Sequence, residues 1–373
     1  MKKALVLGGG FTGFTWAYLL AKRGWDVLIL EKNAAPGGGI KTLWFNGHPY
    51  THGPRHFVGN SEKAFEFIRG MVPQREFRLQ AWTYVGSDDA FYSYPPHCDD
   101  VKRMPDAEHI RAEIAQAGMR DREPPRHFEE KWIGGIGETL YRKFMENYTK
   151  KHWHIPSNTL LDEHTYSGLH KNEYGRLRSG NREMVRDAYI SYPISVNGWD
   201  DYFAQIAAMS EVSVRCNAHI TAYDLDRRTI HLDKEKLTAD LIVSTISPDE
   251  MFAYAHGRLP YAGRSMLLLP LPAEYVFPKD ICFLYYAGDE PYLRIVEYKK
   301  LTGYKSPVSL LGIEQPCPGG KDYPMLFKAE IERAESYVKA LPKAVLSVGR
   351  LGSYRYMTLS NILDQAFEQI VDY

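Results

Sequence analysis

Cysteine is scarce in this chain and carries no pattern. Four residues, Cys98, Cys216, Cys282 and Cys317, are scattered over 373 positions with no CxxC and no metal-ligand spacing. That argues against a disulfide scaffold or a metal module and for free thiols in a reducing, cytoplasmic setting. Net charge is missing too, since Lys plus Arg and Asp plus Glu both number 46. No global field draws the protein to nucleic acid or a membrane surface, so an anionic ligand must be met by a local cluster. No apolar run approaches the roughly 20 residues of a membrane span. Met1-Lys2-Lys3 opens like a secretion signal, but the apolar stretch Ala4 to Leu7 stops at three glycines and fits a first strand better. Repeats and low-complexity segments are lacking.

Tyrosine, by contrast, is abundant at 26. Most of these rings suit cores and rims, yet a site holding a polar ligand by ring faces and phenol hydroxyls also raises the count. The densest local signal lies at the start. Ala4 to Leu7 reads as a buried parallel strand, and Gly8-Gly9-Gly10-Phe11-Thr12-Gly13 follows it as G-x-G-x-x-G. Phe14 to Arg23 then has helical periodicity, and Asp26 to Leu30 reads as a second strand ending in Glu31 and Lys32. Gly8 permits the tight turn, Gly10 lets backbone approach a pyrophosphate beside Thr12, and Gly13 allows close helix–strand packing. Glu31, roughly 20 residues on, accepts the hydroxyls of an adenosine ribose.

Three further features select FAD as that dinucleotide. Gly37, Gly38 and Gly39 follow Glu31, as in the extended motif of amine-oxidase-like flavoproteins. Ala239 to Thr245 is a strand with a small polar ending. Ala344 to Val348 is another, capped by Gly349-Arg350 and followed by a helix from Ser360 to Val371 with Ser360 as N-cap. The expected fold class is α/β: a Rossmann-like FAD-binding domain assembled from discontinuous segments, with a helical insertion and an antiparallel-sheet domain. The expected boundaries are 1–75, 185–250 and 343–373 for the FAD domain, 98–165 for the helical lid, and 76–97, 166–184 and 251–342 for the sheet. Within the lid, Gly137 to Thr149, completed by Lys150 to Trp153, suits an amphipathic helix that places Phe144 and Tyr148 on one face.

Beyond the FAD start, the ordered blocks Leu140 to Trp153, Tyr189 with Tyr192-Pro193-Ile194, Pro291 to Ile295, Tyr323-Pro324 and Gly349 to Tyr356 resemble the bacterial flavin-dependent UDP-galactopyranose mutases over essentially the whole chain. The resemblance implies a cytoplasmic homodimer that serves cell-surface polysaccharide synthesis and takes a nucleotide-sugar substrate. It also implies a non-redox isomerisation in which reduced FAD, recharged by NAD(P)H or another reductant, is the covalent nucleophile at the anomeric carbon. No protein nucleophile and no metal is then required. By matching position, Phe144, Tyr148 and Trp153 surround the nucleobase, while Tyr189, Tyr323 and Tyr356 hydrogen-bond the diphosphate. The sheet arginine is Arg294, and the lid arginine is Arg178 or Arg176. Gly180, with Ser179 and Asn181, provides a hinge.

The chain departs from the family where the flavin and sugar meet. A histidine near the flavin is replaced by Arg55, or by His56 after a one-residue shift, and a second histidine is replaced by Val58. Ser93-Tyr94-Pro95, Leu284 and Met357-Thr358 stand where the family carries other polar or acidic residues. These changes point to an altered sugar or base. Two other readings share the FAD signature: an amine-oxidase-type oxidoreductase and a non-catalytic nucleotide-sugar binding protein.

Overall fold

The computed structural model describes residues 1–118, 124–161 and 175–373; the boundary expected between 165 and 166 lies outside them. Lys3–Leu7 pairs in parallel with Asp26–Leu30 on one side and Leu241–Ser244 on the other. Val212–Arg215 and Val345–Ser347 extend these into a five-stranded parallel sheet drawn from the beginning, middle and end of the chain. Strand alternation splits its side chains between two cores. Ala4, Val6, Val27, Ile29 and Val243 face the large core under the helix Phe11–Ala21, whereas Leu5, Leu7, Leu30, Ile242 and Val345 face a smaller one. The smaller core is covered by the meander Ile220–Asp224, Thr229–Leu232 and Lys236–Thr238.

The first helix starts at Phe11 rather than Phe14, with Gly10 as N-cap. Gly13, which reads as a turn residue in sequence, already belongs to the first helical turns. The last helix is Leu359–Gln369, and its N-cap is Thr358 rather than Ser360. Thr358 Oγ1 accepts the Asn361 backbone N–H at 3.3 Å, and Asn361 Oδ1 accepts the Thr358 N–H at 3.1 Å. This reciprocal box starts the helix two residues early and turns Ser360 into the packed wall against Gly59. Thr358→Ala should therefore cost about 1 kcal/mol in denaturant unfolding, while Ser360→Ala costs no cap.

A second sheet of seven strands carries Tyr323–Pro324, Tyr261–Leu271, Ser309–Cys317, Arg294–Glu297, Ile281–Tyr286, Gln80–Val85 and Ala90–Tyr94 in that order. Its pairings are antiparallel except that of Ile281–Tyr286 with Gln80–Val85. Tyr285 lies opposite Arg294, and Arg294 lies opposite Glu314, so the three form one row across adjacent strands. A small sheet of Phe57–Gly59, Tyr189–Pro193 and Gln74–Glu76 adds to the fold.

The helical insertion includes Cys98–Val101, Ala107–Gly118, Phe128–Ile136 and Glu138–Tyr141. The run continues through one π-helical stretch, Arg142–Glu146, into Asn147–Trp153. The widened turn breaks the i, i+4 register, and Phe144 and Tyr148 join different hydrophobic cores. Among the described residues no helix is long and apolar enough to cross a membrane. All four cysteines are free.

Candidate active site

The parallel sheet delivers its glycine turn to a cavity of about 750 Å³ that runs to the edge of the seven-stranded sheet. Gly8, Gly10, Thr12, Glu31, Lys32, Gly38, Gly39 and Arg350 line it. Gly13 and Gly349 do not line it but shape it from behind. A Cβ on Gly13 would stand 2.0 Å from the Gly8 carbonyl oxygen, so the turn closes on the helix only with glycine there. Glu31 Oε2 accepts the Gly9 N–H at 2.8 Å, while Oε1 accepts both the backbone N–H and the side chain of Asn33. This holds the carboxylate at the cavity wall. Thr358, Leu359, Asn361 and Ile362 bring the amino end of the last helix to the same cavity.

These residues fit FAD. The glycine turn and the helix amino-terminus cradle a pyrophosphate, Glu31 suits a ribose, and the last helix presents a positive dipole end to the ring system.

Arg55, His56, Tyr148, Arg178, Arg294, Tyr323 and Tyr356 of the expected substrate-side residues meet at the far wall. Arg294 grips Glu314 with both arms, Nε to Oε2 at 2.6 Å and Nη2 to Oε1 at 2.9 Å, and donates from Nη1 to the Tyr285 hydroxyl at 3.2 Å. Arg178 is 6% exposed, and its backbone is bonded to Pro96 and Cys98. Tyr323 and Tyr356 stack at 5.9 Å with the Arg350 guanidinium over both rings. Burial alone would raise the Tyr323 phenol, but the cations of Arg55, Arg294 and Arg350 outweigh it and lower the pKa. Burial raises Tyr356.

Four of the expected substrate-side residues, and Ser360 of the cofactor side, lie elsewhere. Phe144 is sealed in the helical core, 6.2 Å from the ring of Tyr92, because the π turn carries it off the Tyr148 face. Trp153 is fully buried, edge-on to His152 and Tyr323. Tyr189 stacks on Phe65 at 4.3 Å, since strand alternation points it at the helix Glu62–Met71. Arg176 is exposed, which leaves Arg178 as the arginine of that segment on the cavity. Ser360 is buried behind the wall. Trp132, Met145, His152 and Tyr285 are cavity residues that periodicity does not reveal. Tyr285 and Glu314 become visible only once the strand register aligns them with Arg294.

His56 sits between Phe77 and Phe283, and its pKa is pushed down to about 3, first by burial and then by Arg294 and Arg55. The ring is therefore neutral in the folded protein, while in the unfolded chain it titrates near 6.5. As pH falls below 6.5 the unfolded state takes up a proton that the folded state refuses, so stability drops toward pH 3. His56→Gln should flatten that acid limb by up to one proton, read as the slope of unfolding free energy against pH.

Comparison with known proteins agrees with this arrangement. The sequence profile for UDP-galactopyranose mutase matches residues 143–356, and one for an NAD(P)-binding Rossmann-like domain matches residues 6–70. A probable UDP-galactopyranose mutase of Klebsiella pneumoniae is 22% identical, covering 98% of this chain and 93% of the relative. The dTDP-fucopyranose mutase of Escherichia coli is 24% identical, covering 99% and 97%. A crystal structure of reduced UDP-galactopyranose mutase superposes with a TM-score of 0.83 at 17% identity, over 99% of this chain and 93% of that one. The dinucleotide turn, the arginine–tyrosine wall and a profile match over more than half of its length all agree: this chain belongs to the UDP-galactopyranose mutase family of flavoenzymes.

Proposed function

We propose that the chain is a nucleotide-sugar pyranose/furanose mutase whose substrate differs from UDP-galactose in its sugar, its base or both. The observation that carries this reading is the single continuous cavity, which joins the dinucleotide turn to a wall of buried arginines and tyrosines. An apolar amine or polyene would gain nothing from such a wall, whereas a diphosphate dianion gains charge-assisted hydrogen bonds from it. The glycine turn Gly8 to Gly13, Glu31 and the last helix would hold FAD, which, once reduced by NAD(P)H or another reductant, would supply a nucleophilic nitrogen for the anomeric carbon.

The protein's own residues bind, orient and exclude water. Arg178 and Arg294 offset the diphosphate charge as it departs and returns, and the Tyr323 and Tyr356 hydroxyls donate to its oxygens. Tyr148 packs beside the base. His56, being neutral, accepts or donates a hydrogen bond near the flavin without adding charge. We assign residues 1–75, 185–250 and 343–373 to the cofactor domain, the described residues of 98–165 to the lid, and those of 76–97, 166–184 and 251–342 to the sheet domain. The enzyme acts as a cytoplasmic homodimer that supplies furanoses for cell-surface polysaccharide.

The altered specificity is supported by the wall around His56. Val58, Leu79, Met184 and Phe283 line the cavity there and offer no side-chain hydrogen bond of ordinary strength to a sugar hydroxyl. The two relatives above carry names with different bases and different sugars, so dTDP-fucopyranose and UDP-galactopyranose are the natural first pair to compare. The test incubates reduced and oxidised enzyme with a panel of nucleotide pyranoses and assays furanose by chromatography. We expect turnover only after reduction, fastest for a sugar other than UDP-galactose. UDP-galactose turning over fastest would sink the specificity claim, and no furanose from any substrate would sink the mutase reading.

A further inference from the structure

We propose that Arg55 is a third diphosphate-binding guanidinium, preset beside Tyr323 and transferred from Asp322 to the substrate when it binds; this rests on the nucleotide-sugar reading above. The proposal begins with how differently the arginines of the site are held. Arg294 is clamped on one side: its Nε and Nη2 close on Glu314 at 2.6 and 2.9 Å, which leaves Nη1, now donating to the Tyr285 hydroxyl at 3.2 Å, as the arm that can turn to substrate. Arg55 is not. Its Nη1 reaches the Tyr323 hydroxyl and its Nη2 reaches Asp322 Oδ1, both at 3.4 Å, the far edge of hydrogen-bonding distance.

The stem of Arg55, in contrast, is fixed. Nε donates to the His52 carbonyl at 2.8 Å, and the Arg55 carbonyl accepts from the indole of fully buried Trp199 at 2.6 Å. Neighbouring Thr51 is tied by the Tyr298 hydroxyl at 2.6 Å. An anchored stem with a loosely engaged head is preorganised to meet an anion without paying to order the side chain.

Charge around Tyr323 points the same way. The guanidiniums of Arg55, Arg264 and Arg350 lie 5.8, 5.1 and 5.1 Å from its ring centroid. Arg264 and Arg350 spend their donors on backbone carbonyls of Gly263, His152, Met357 and Asp322, which satisfy hydrogen bonds but bring no negative charge. Asp322 is the carboxylate that pairs with this group, Glu314 being taken by Arg294. Among the described residues, three cations against this one carboxylate leave two positive charges, in a place where like charges are costly unless an anion joins them. A nucleoside diphosphate ester carries two negative charges, and Arg55, Asp322, Tyr323 and Arg350 all face the cavity.

The test titrates UDP, dTDP and the nucleosides uridine and thymidine into the FAD-loaded protein by calorimetry, comparing wild type with Arg55→Gln and Arg55→Lys. We expect Arg55→Gln to weaken both diphosphates by roughly 10- to 100-fold, with Arg55→Lys recovering part of the loss, and with nucleoside binding and FAD content unchanged. Diphosphate affinity equal to wild type in Arg55→Gln overturns the proposal. Loss of FAD in that variant also overturns it, by assigning Arg55 to the cofactor's own diphosphate, and equal loss of nucleoside binding does so by marking a structural role. A wild type that binds neither diphosphate overturns the nucleotide-sugar reading together with this proposal.

Discussion

Arg294→Ala is expected to lower kcat/KM by roughly a thousandfold, equivalent to about 4 kcal/mol, because it removes a buried cation from the diphosphate wall. The same change strands Glu314, which is 2% exposed, as a buried carboxylate without its fork partner, and should cost about 3–5 kcal/mol of folding stability. These two losses must be separated. Replacing both partners, Arg294→Met with Glu314→Leu, restores an uncharged, packed row and should recover most of the stability. It should recover none of the activity. Denaturant unfolding beside steady-state kinetics reads both quantities, and near wild-type kcat/KM in either variant would falsify the assignment of Arg294 to the substrate wall.

Gly13→Val should yield a folded but nearly flavin-free protein. Its Cβ would lie 2.0 Å from the Gly8 carbonyl oxygen and 3.1 Å from Val6 Cγ1, and the first of these is backbone that cannot swing aside. The turn would have to open away from the helix amino-terminus, which dismantles the phosphate cradle. The flavin-to-protein absorbance ratio after purification measures this. Gly70→Ala is the matched control, because a Cβ there meets nothing within 4 Å; it should retain full flavin. A Gly13→Val protein with stoichiometric FAD would mean that the turn is not the cofactor's cradle.

The cofactor half of the fold was legible because its signals are local. Gly8 to Gly13, the strands on either side and Glu31 fall within about thirty residues, and each step has a short-range steric or hydrogen-bonding cause. The substrate wall was legible only in part. Arg294 and Tyr323 sit on sheet strands, and Tyr356 stacks on Tyr323 from the loop before the last helix. Glu314 and Tyr285 escaped because cross-strand partnership depends on register, and Arg294 and Glu314 are joined by pairing rather than by spacing. Phe144 was misplaced for a different reason. A periodicity of 3.6 does not hold across the π turn, and nothing in Arg142 to Glu146 announces the extra residue. Tyr189 failed through side-chain alternation, since a strand offers each residue one of two faces and the sequence around it does not say which. At the last helix, Thr358 and Ser360 are both acceptable caps in sequence, and the choice was made by Asn361, whose side chain reaches back to the Thr358 N–H.

The parallel sheet has a consequence for how the protein is made. Synthesis proceeds from the amino end, so the edge strand Val345–Ser347 leaves the ribosome about a hundred residues after its partner Leu241–Ser244. Until then Leu241–Ser244 is a bare, fully buried-type edge with no partner on that side, and the last helix that closes the cavity does not yet exist. A nascent chain therefore carries the complete glycine turn well before the last helix closes the cavity. Retention of flavin therefore waits for that helix to emerge, and until Val345–Ser347 pairs, the open edge is a site for unwanted strand pairing.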